Sequence, residues 1–326
     1  MLLEPRLVKL STRTGVEVRR TLPNAKLRRI SAWVFVDHFG PTPQTDGMVV
    51  AAHPHTGLQT MTWLFEGRVE HRDSVGSVQV IEPGQLNLMT AGRGISHSEL
   101  SQQGPLAMHA AQLWVALPEF ARNVEPSFQH IASLPALPLA VAEHAGATSN
   151  QSSSATGAQS SSATGTLLVG ELLGQRSPAR VHTPLVAAEL NLPSGSALTL
   201  PVDANFEHGI LVVGGEALVN GERVGSGNLE FVAAGNAELR LESLGAEPLQ
   251  LLLIGGAPFD EPIVMWWNFI ARTHEEIVAV REAWNNFGNA DESAGAEGIL
   301  FNRFEDEIGG WIPAPELPNV ILRARL

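Results

Sequence analysis

Two short triplets, His53-Pro-His55 and His97-Ser-Glu99, bring together side chains that bind metals. Residues i and i+2 of a β-strand point to the same face, so each triplet can aim two ligands at one point. If the two strands lie across a barrel from each other, their inward faces supply three imidazoles and one carboxylate. That set suits Fe(II), Mn(II), Ni(II), Cu(II) or Zn(II), and an octahedral ion would keep two open positions. Eleven histidines in 326 residues give about 0.4 His-x-His triplets by chance alone, so spacing by itself does not decide the matter. His274-Glu-Glu276 shows why. It has the same spacing but falls in the first turn of an expected helix, where i and i+2 do not share a face.

The elements that must position these residues are short strands separated by Gly, Pro and Asp-Ser punctuation. Before residue 143 they are expected at 47–52, 58–65, 69–71, 77–81 and 85–89. After residue 166 they are expected at 167–173, 186–192, 197–200, 209–213, 216–219 and 249–254. Phe65-Glu-Gly-Arg-Val-Glu and Val213-Gly-Gly-Glu-Ala-Leu both read as strand, glycine turn, strand, which suggests one β-barrel or sandwich duplicated. The fold class is therefore mainly all-β, two antiparallel barrels or sandwiches. One helix is expected near the C-terminus: Thr273 and Glu276 form a capping box, and Ile277, Val280, Trp284 and Phe287 make an apolar stripe. Between the halves, Gln151-Ser-Ser-Ser-Ala-Thr-Gly-Ala is followed by Gln159-Ser-Ser-Ser-Ala-Thr-Gly-Thr. That composition cannot bury enough apolar area to order itself and reads as a flexible linker. The expected organisation is an N-terminal metal-binding domain over 1–144, a linker over 145–166, and a C-terminal domain over 167–326 that carries the helix and no metal.

Composition narrows the chemistry. With no cysteine and no tyrosine, thiolate sites, a Cys nucleophile and a phenolic acid or base are excluded. A net charge of −13 argues against direct nucleic-acid binding, which needs an excess of Lys and Arg. No segment approaches the roughly 20 apolar residues of a membrane span, and the start Met1-Leu-Leu-Glu-Pro5 does not read as a signal peptide. A cytoplasmic location is the expectation.

The text around the triplets is more specific than their spacing. His53-Pro-His55-Thr-Gly57 leads through Trp63-Leu-Phe-Glu-Gly67 and His71-Arg-Asp73-Ser-Val-Gly76 to Met89-Thr-Ala-Gly92-Arg-Gly94-Ile-Ser-His97-Ser-Glu99. Upstream stands Arg28-Arg-Ile-Ser-Ala-Trp33-Val-Phe-Val-Asp37-His38-Phe-Gly40-Pro41. Downstream stand Phe206-Glu-His208-Gly, Gly256-Ala-Pro-Phe-Asp-Glu261 and Ile312-Pro-Ala-Pro315. This sequence resembles the pirin family of the cupin superfamily over nearly its whole length.

The resemblance implies two cupin domains, with one divalent metal, most often Fe(II), in the N-terminal one. Its ligands would be His53, His55, His97 and Glu99. Cupins in general carry a glutamate four or five residues after His-x-His. Here that stretch reads Thr56-Gly-Leu-Gln59-Thr60, and Glu99 supplies the carboxylate as in pirins. Some pirins resemble quercetin 2,3-dioxygenases, which open a flavonol with O2 and release carbon monoxide. On that reading Glu99 is also the catalytic base, the substrate is a small planar aromatic, and some of Leu58, Met61, Trp63, Leu88 or Met89 offer an apolar wall, though these residues alternate in direction along strands and most are expected in the core. The alternative is a metal- and redox-dependent regulator that uses the same ligands to present a surface to a protein partner. In the second half His208 and His182 stand alone, and lone histidines near apolar strands are more often satisfied structural residues. His71 and His109 are candidates to support the ligands from behind, and Arg93 for a surface ion pair.

Overall fold

The computed structural model describes residues 1–9, 17–42, 48–101, 108–143, 162–289, 301–302, 304 and 310–326. The chain forms two compact units, each built from two antiparallel sheets that do not close into a barrel. One unit comprises Met1–Arg6, Thr21–Ser31 and Leu134–Pro258, the other Leu7–Arg20, Ala32–Ser133 and Phe259–Leu326. The units interleave along the chain, an organisation that the expected boundaries at 144 and 167 do not describe. The helix belongs with the histidine-bearing strands. Most of the expected linker, residues 145–161, lies outside the described residues. Its last residues do not read as linker, because Thr164–Val169 is a strand paired with Leu185–Leu192.

In the histidine-bearing unit a seven-stranded sheet runs in the order Ser127–Ile131, Leu86–Thr90, Leu58–Glu66, Met108–Ala116, Trp33–Thr42, Glu17–Leu22, Arg6–Lys9. A four-stranded sheet runs Val49–His55, Ile95–Ser101, Val69–Asp73, Val78–Ile81. The other unit repeats this plan. The successive strands Glu207–Gly214, Leu249–Gly256 and Leu185–Leu192 form the middle of its seven-stranded sheet. Ser196–Pro201, Glu238–Ser243, Glu216–Val219 and Glu222–Gly225 follow the same order in its smaller sheet. The glycine turns also match, though they are not hairpins as their sequence suggests. Gly67 joins Leu58–Glu66 to Val69–Asp73, and Gly215 joins Glu207–Gly214 to Glu216–Val219; each carries the chain from one sheet to the other at positive φ (94° and 83°). Glycine takes up that backbone conformation at little steric cost.

The place of the histidines is filled differently in the repeat. His53 lies opposite His97 in the register of the first unit. In the corresponding strand pair of the second, Leu198 lies opposite Leu241 and Leu200 opposite Leu239. All four leucines belong to one buried apolar cluster.

The helix His274–Asn289 forms as its capping box predicts. The Glu276 amide donates to Thr273 Oγ1 at 3.2 Å, while the Glu276 carboxylate accepts from the Arg272 amide at 2.8 Å, one residue earlier than a standard box. Ile277 and Trp284 are buried, and they pack with Val264, Phe269 and Phe301 in a cluster of their own. No helix among the described residues is long and apolar enough to cross a membrane.

Candidate metal centre

The strands carrying the two triplets are not across a barrel from each other. They are hydrogen-bonded neighbours, and His53 and His97 are direct cross-strand partners. The three imidazoles come together by this shorter route. One ring nitrogen from each of His53, His55 and His97 lies within 4.8 Å of those of the other two, and the three side chains are buried. His55 Nε2 and His97 Nε2 stand 3.1 Å apart. His53 Nδ1–H donates to the Ala51 carbonyl at 2.9 Å, which leaves its Nε2 as the bare nitrogen.

Glu99 is placed less simply. The pairing with Val49–His55 shifts between His97 and Glu99, so that Glu99 falls opposite Val50. On its other side Glu99 faces His71, and its carboxylate forms a second group, also within 4.8 Å, with the nitrogens of His71 and His97. His97 is thus common to both groups. Glu99 lines the same cavity as the three histidines.

The electrostatics favour neutral rings. Burial pushes His53 down to about 4, against the pull of its hydrogen bond to Ala51. Burial and the neighbouring imidazoles hold His55 and His97 well below the ordinary histidine value. Burial raises the carboxyl of Glu99. Neutral imidazoles are the form that ligates a metal. They are also awkward without one, since at most one hydrogen can lie between the facing Nε2 atoms, and His55 Nδ1 is buried with no hydrogen-bond partner. Three histidines and a carboxylate are the ligand types borderline divalent ions prefer. The residues fit such an ion.

Asp73 serves in two ways. Sequence reading makes it a turn former, and Oδ1 does accept from the amides of Val75 and Ser77, each at 3.0 Å. Its other oxygen accepts from His71 Nε2–H at 2.9 Å. Burial alone would raise this carboxyl, but the hydrogen bonds from His71 and Ser77 outweigh it and hold the group below its ordinary value. The i,i+2 spacing of His71 and Asp73 is the same signal as His53 and His55, and was there to be read.

The cavity beside the histidines measures about 260 Å³. None of the five apolar candidates lines it, and the core role expected for most of them holds for all five. Met61 and Trp63 are buried in the core, because Thr62 is the residue of Leu58–Glu66 that faces the cavity and strand neighbours point the opposite way, and Leu88 on Leu86–Thr90 is buried as well. Leu58 and Met89 do not line it either. The apolar wall comes from Phe35 and Trp114, stacked at 3.9 Å between centroids with planes 11° apart. Trp114 also meets the His55 ring edge-on at 5.1 Å. Beyond them Arg20 grips Asp37 through two bonds of 2.7 Å and lies 4.3 Å over the Phe35 ring.

The C-terminal segment completes the rim. The Ile270 amide donates to the Thr56 carbonyl at 3.0 Å and the Ile312 amide to Ala52 at 2.8 Å. The strand bearing both histidines, Val49–His55, is thereby held at its middle and just past its end. The hairpin Val264–Trp266 and Phe269–Ala271 presents its turn residues, Trp267 and Asn268, to the cavity. Trp267 adopts a φ of 51°, a left-handed conformation that is costly for a bulky residue. No motif in the sequence marks this turn as part of the site.

Family models for Pirin and for the Pirin C-terminal cupin domain match residues 15–115 and 187–290. A "Pirin-like protein" of Caulobacter vibrioides is 33% identical, over 82% of this chain and 88% of its own. The chain belongs to the pirin family. A Pseudomonas aeruginosa relative named "Putative quercetin 2,3-dioxygenase" is 40% identical, over 93% of this chain and 87% of its own. Among solved structures, a quercetin 2,3-dioxygenase from Acinetobacter baumannii superposes with a TM-score of 0.84 at 37% identity, covering 99% of this pirin and 97% of that chain.

The remaining candidates take structural places in this pirin. Arg93 makes a surface pair with Glu125, two bonds of 2.7 and 3.0 Å. Gly92 is required because a Cβ there would lie 1.9 Å from the Val124 carbonyl oxygen. His109 does not reach the ligands; it pairs with His38 at 2.8 Å between Nε2 atoms, and burial lowers the two rings to about 4 and about 3. His274 opens the helix and accepts a bond from the Leu322 amide. In the second unit His208 is buried, but contrary to expectation neither ring nitrogen has a hydrogen-bond partner.

Proposed function

We propose that this pirin is a metal-dependent dioxygenase that opens a small planar aromatic of the flavonol class with O2, using one divalent ion, Fe(II) in the first instance, held by His53, His55, His97 and Glu99. The observation that carries this reading is the convergence of three buried, neutral imidazoles on one wall of a cavity whose adjoining wall is a pair of stacked aromatic rings. The similarity to quercetin 2,3-dioxygenases at 37% and 40% identity supports it.

A bound metal would supply Lewis acidity toward a substrate oxygen and a place for O2 beside it. The chain's own residues do the rest. Phe35 and Trp114 offer a flat apolar surface on which a fused ring can lie, while Thr62 and Gln112, bonded to each other at 2.8 Å, present polar atoms to its edge. Glu99 takes the proton of the 3-hydroxyl group as the ring binds. It is a carboxylate that lines the same cavity, which is what general-base work requires. Trp267 and Asn268 at the rim limit the water that reaches the ring. A cavity of about 260 Å³ is at the small end of ligand sites, which favours a compact aromatic over an extended conjugate.

The test is oxygen-dependent loss of quercetin by protein loaded anaerobically with Fe(II), with His55→Ala and Glu99→Ala as controls. Turnover and metal content should both fall in the variants while the fold is kept. Full metal occupancy in both variants would overturn the ligand assignment. Iron firmly bound in the native chain without turnover would overturn catalysis and favour the regulator that docks a protein partner.

A further inference from the structure

We propose that Asp73 and His71 act together as a positioning pair that fixes which nitrogen of His97 is free, and so sets this pirin's affinity for its metal. This rests on the reading of His97 as a ligand. At Asp73 the hydrogens cannot be rearranged. Asp73 Oδ1 is occupied by the amides of Val75 and Ser77, which are donors only. Asp73 Oδ2, a carboxylate oxygen, can only accept, so the bond of 2.9 Å to His71 places a hydrogen on His71 Nε2.

With that hydrogen on Nε2, Nδ1 is the nitrogen of His71 left to accept, and it lies 3.3 Å from His97 Nδ1. The pair forms a hydrogen bond only if the hydrogen sits on His97 Nδ1. His97 Nε2 is then bare, and it is the atom turned toward His55. The chain of command runs from two backbone amides through a carboxylate and one imidazole to the lone pair of a second. His53 reaches the same state by a single step, donating Nδ1–H to Ala51.

The surroundings hold the pair in place. His71 and Asp73 are 4% and 1% exposed, and His71 stacks on Phe128 at 4.4 Å with planes 16° apart. A carboxylate behind a ligating histidine is a general device for orienting metal ligands. Here it acts at one remove, through a second histidine.

Asp73→Asn is a nearly isosteric test. The amide oxygen keeps the bonds to Val75 and Ser77, but the amide nitrogen now faces His71 Nε2 and donates to it. Every hydrogen in the chain must then reverse, leaving His97 protonated at Nε2. The readouts are two: the tautomer of His97 from two-bond 15N–1H correlations in chelator-treated protein, assigned with His97→Gln, and Ni(II) affinity by competition with a chromophoric chelator. In the native chain His97 should carry its hydrogen on Nδ1. In Asp73→Asn it should carry it on Nε2, with Ni(II) affinity about 10- to 100-fold weaker. A native His97 protonated at Nε2, or an Asp73→Asn protein with unchanged tautomer and affinity within twofold, would overturn the proposal.

If Asp73→Asn does not fold, His71→Phe and His71→Gln replace it. Phe keeps a ring against Phe128 but offers no acceptor, whereas the Gln oxygen can still accept from His97. Affinity should drop in the first and be largely restored in the second, and equal losses would show a merely structural role. A native chain that binds no Ni(II) would sink the metal reading, yet the tautomer measurement would still decide the pairing.

Discussion

His208 offers a clean test of how burial controls these histidines, because it belongs to the other unit and has no hydrogen-bond partner. Burial lowers it from 6.5 to about 4, with only Asp203 pulling the other way. A depressed value in the folded state means that, as pH falls below 6.5, the unfolded chain binds a proton that the folded chain refuses. The associated stability is fully present above pH 6.5 and is lost progressively down to about pH 4. At pH 5.5 the unfolded imidazole is protonated about ten to one while the folded one is nearly all neutral, so unfolding gains about 1.4 kcal/mol from this residue alone. His208→Leu removes the titration and both orphaned nitrogens while keeping most of the volume. Urea unfolding at pH 7.5 and 5.5 should show the variant losing about 1.3 kcal/mol less than the native chain over that interval. Far-UV circular dichroism is the probe to use. All seven tryptophans fall in the other unit, so their fluorescence does not report on this one. Equal pH dependence in variant and native chain would refute the argument that desolvation holds this ring neutral.

Two further predictions bear on the frame of the site. At Gly57, φ is +69° and a Cβ would lie 2.2 Å from the Ile270 carbonyl oxygen; Gly57→Ala should cost about 1–3 kcal/mol in thermal or urea unfolding and weaken Ni(II) binding, since His55 is two residues away. Breaking the Arg20–Asp37 pair with Asp37→Ala should cost about 3–5 kcal/mol by leaving a guanidinium uncompensated, whereas the paired change Arg20→Met with Asp37→Leu should cost much less; a double-mutant cycle with additive losses would contradict the coupling.

Several parts of this molecule were legible before any coordinates. The helix was, because Thr273, Glu276 and the Ile277–Trp284 stripe state both its start and its buried face. The histidine triplets were, because strand periodicity converts i,i+2 spacing into convergence. Two central strands were not. Trp33–Thr42 is buried along nearly its whole described length and so shows no alternation, and Met108–Ala116 includes three alanines, which favour helix when read in isolation. Missing those strands meant missing Phe35 and Trp114, and with them the cavity wall. The bulge that separates Glu99 from His53 and His55 leaves no mark in composition either. Nor does the pairing of Thr56 with Phe269, more than 200 residues later in the chain. Local patterns fix what each strand presents; which strands become neighbours is a long-range matter.

The duplicated plan shows how little of the scaffold the chemistry needs. Both units place two antiparallel neighbours, one pair around residues 53 and 97 and the other around 198 and 241, at the same position in the smaller sheet. Where the second unit has Leu198, Leu200, Leu239 and Leu241 it has a continuous apolar core, and each of those side chains contributes to stability by burial. Where the first unit has His53, His55 and His97 it buries three rings that cannot all be satisfied by one another. Burying such groups costs free energy that apolar replacements would not. The first unit therefore accepts a less stable interior at the one place where the second does not, and a metal that binds only the folded state would return that stability by mass action. Chelation should accordingly destabilise the histidine-bearing unit, whose seven tryptophans report its unfolding directly. The leucine-filled unit, followed by circular dichroism, should be unaffected by loading when the two transitions are resolved.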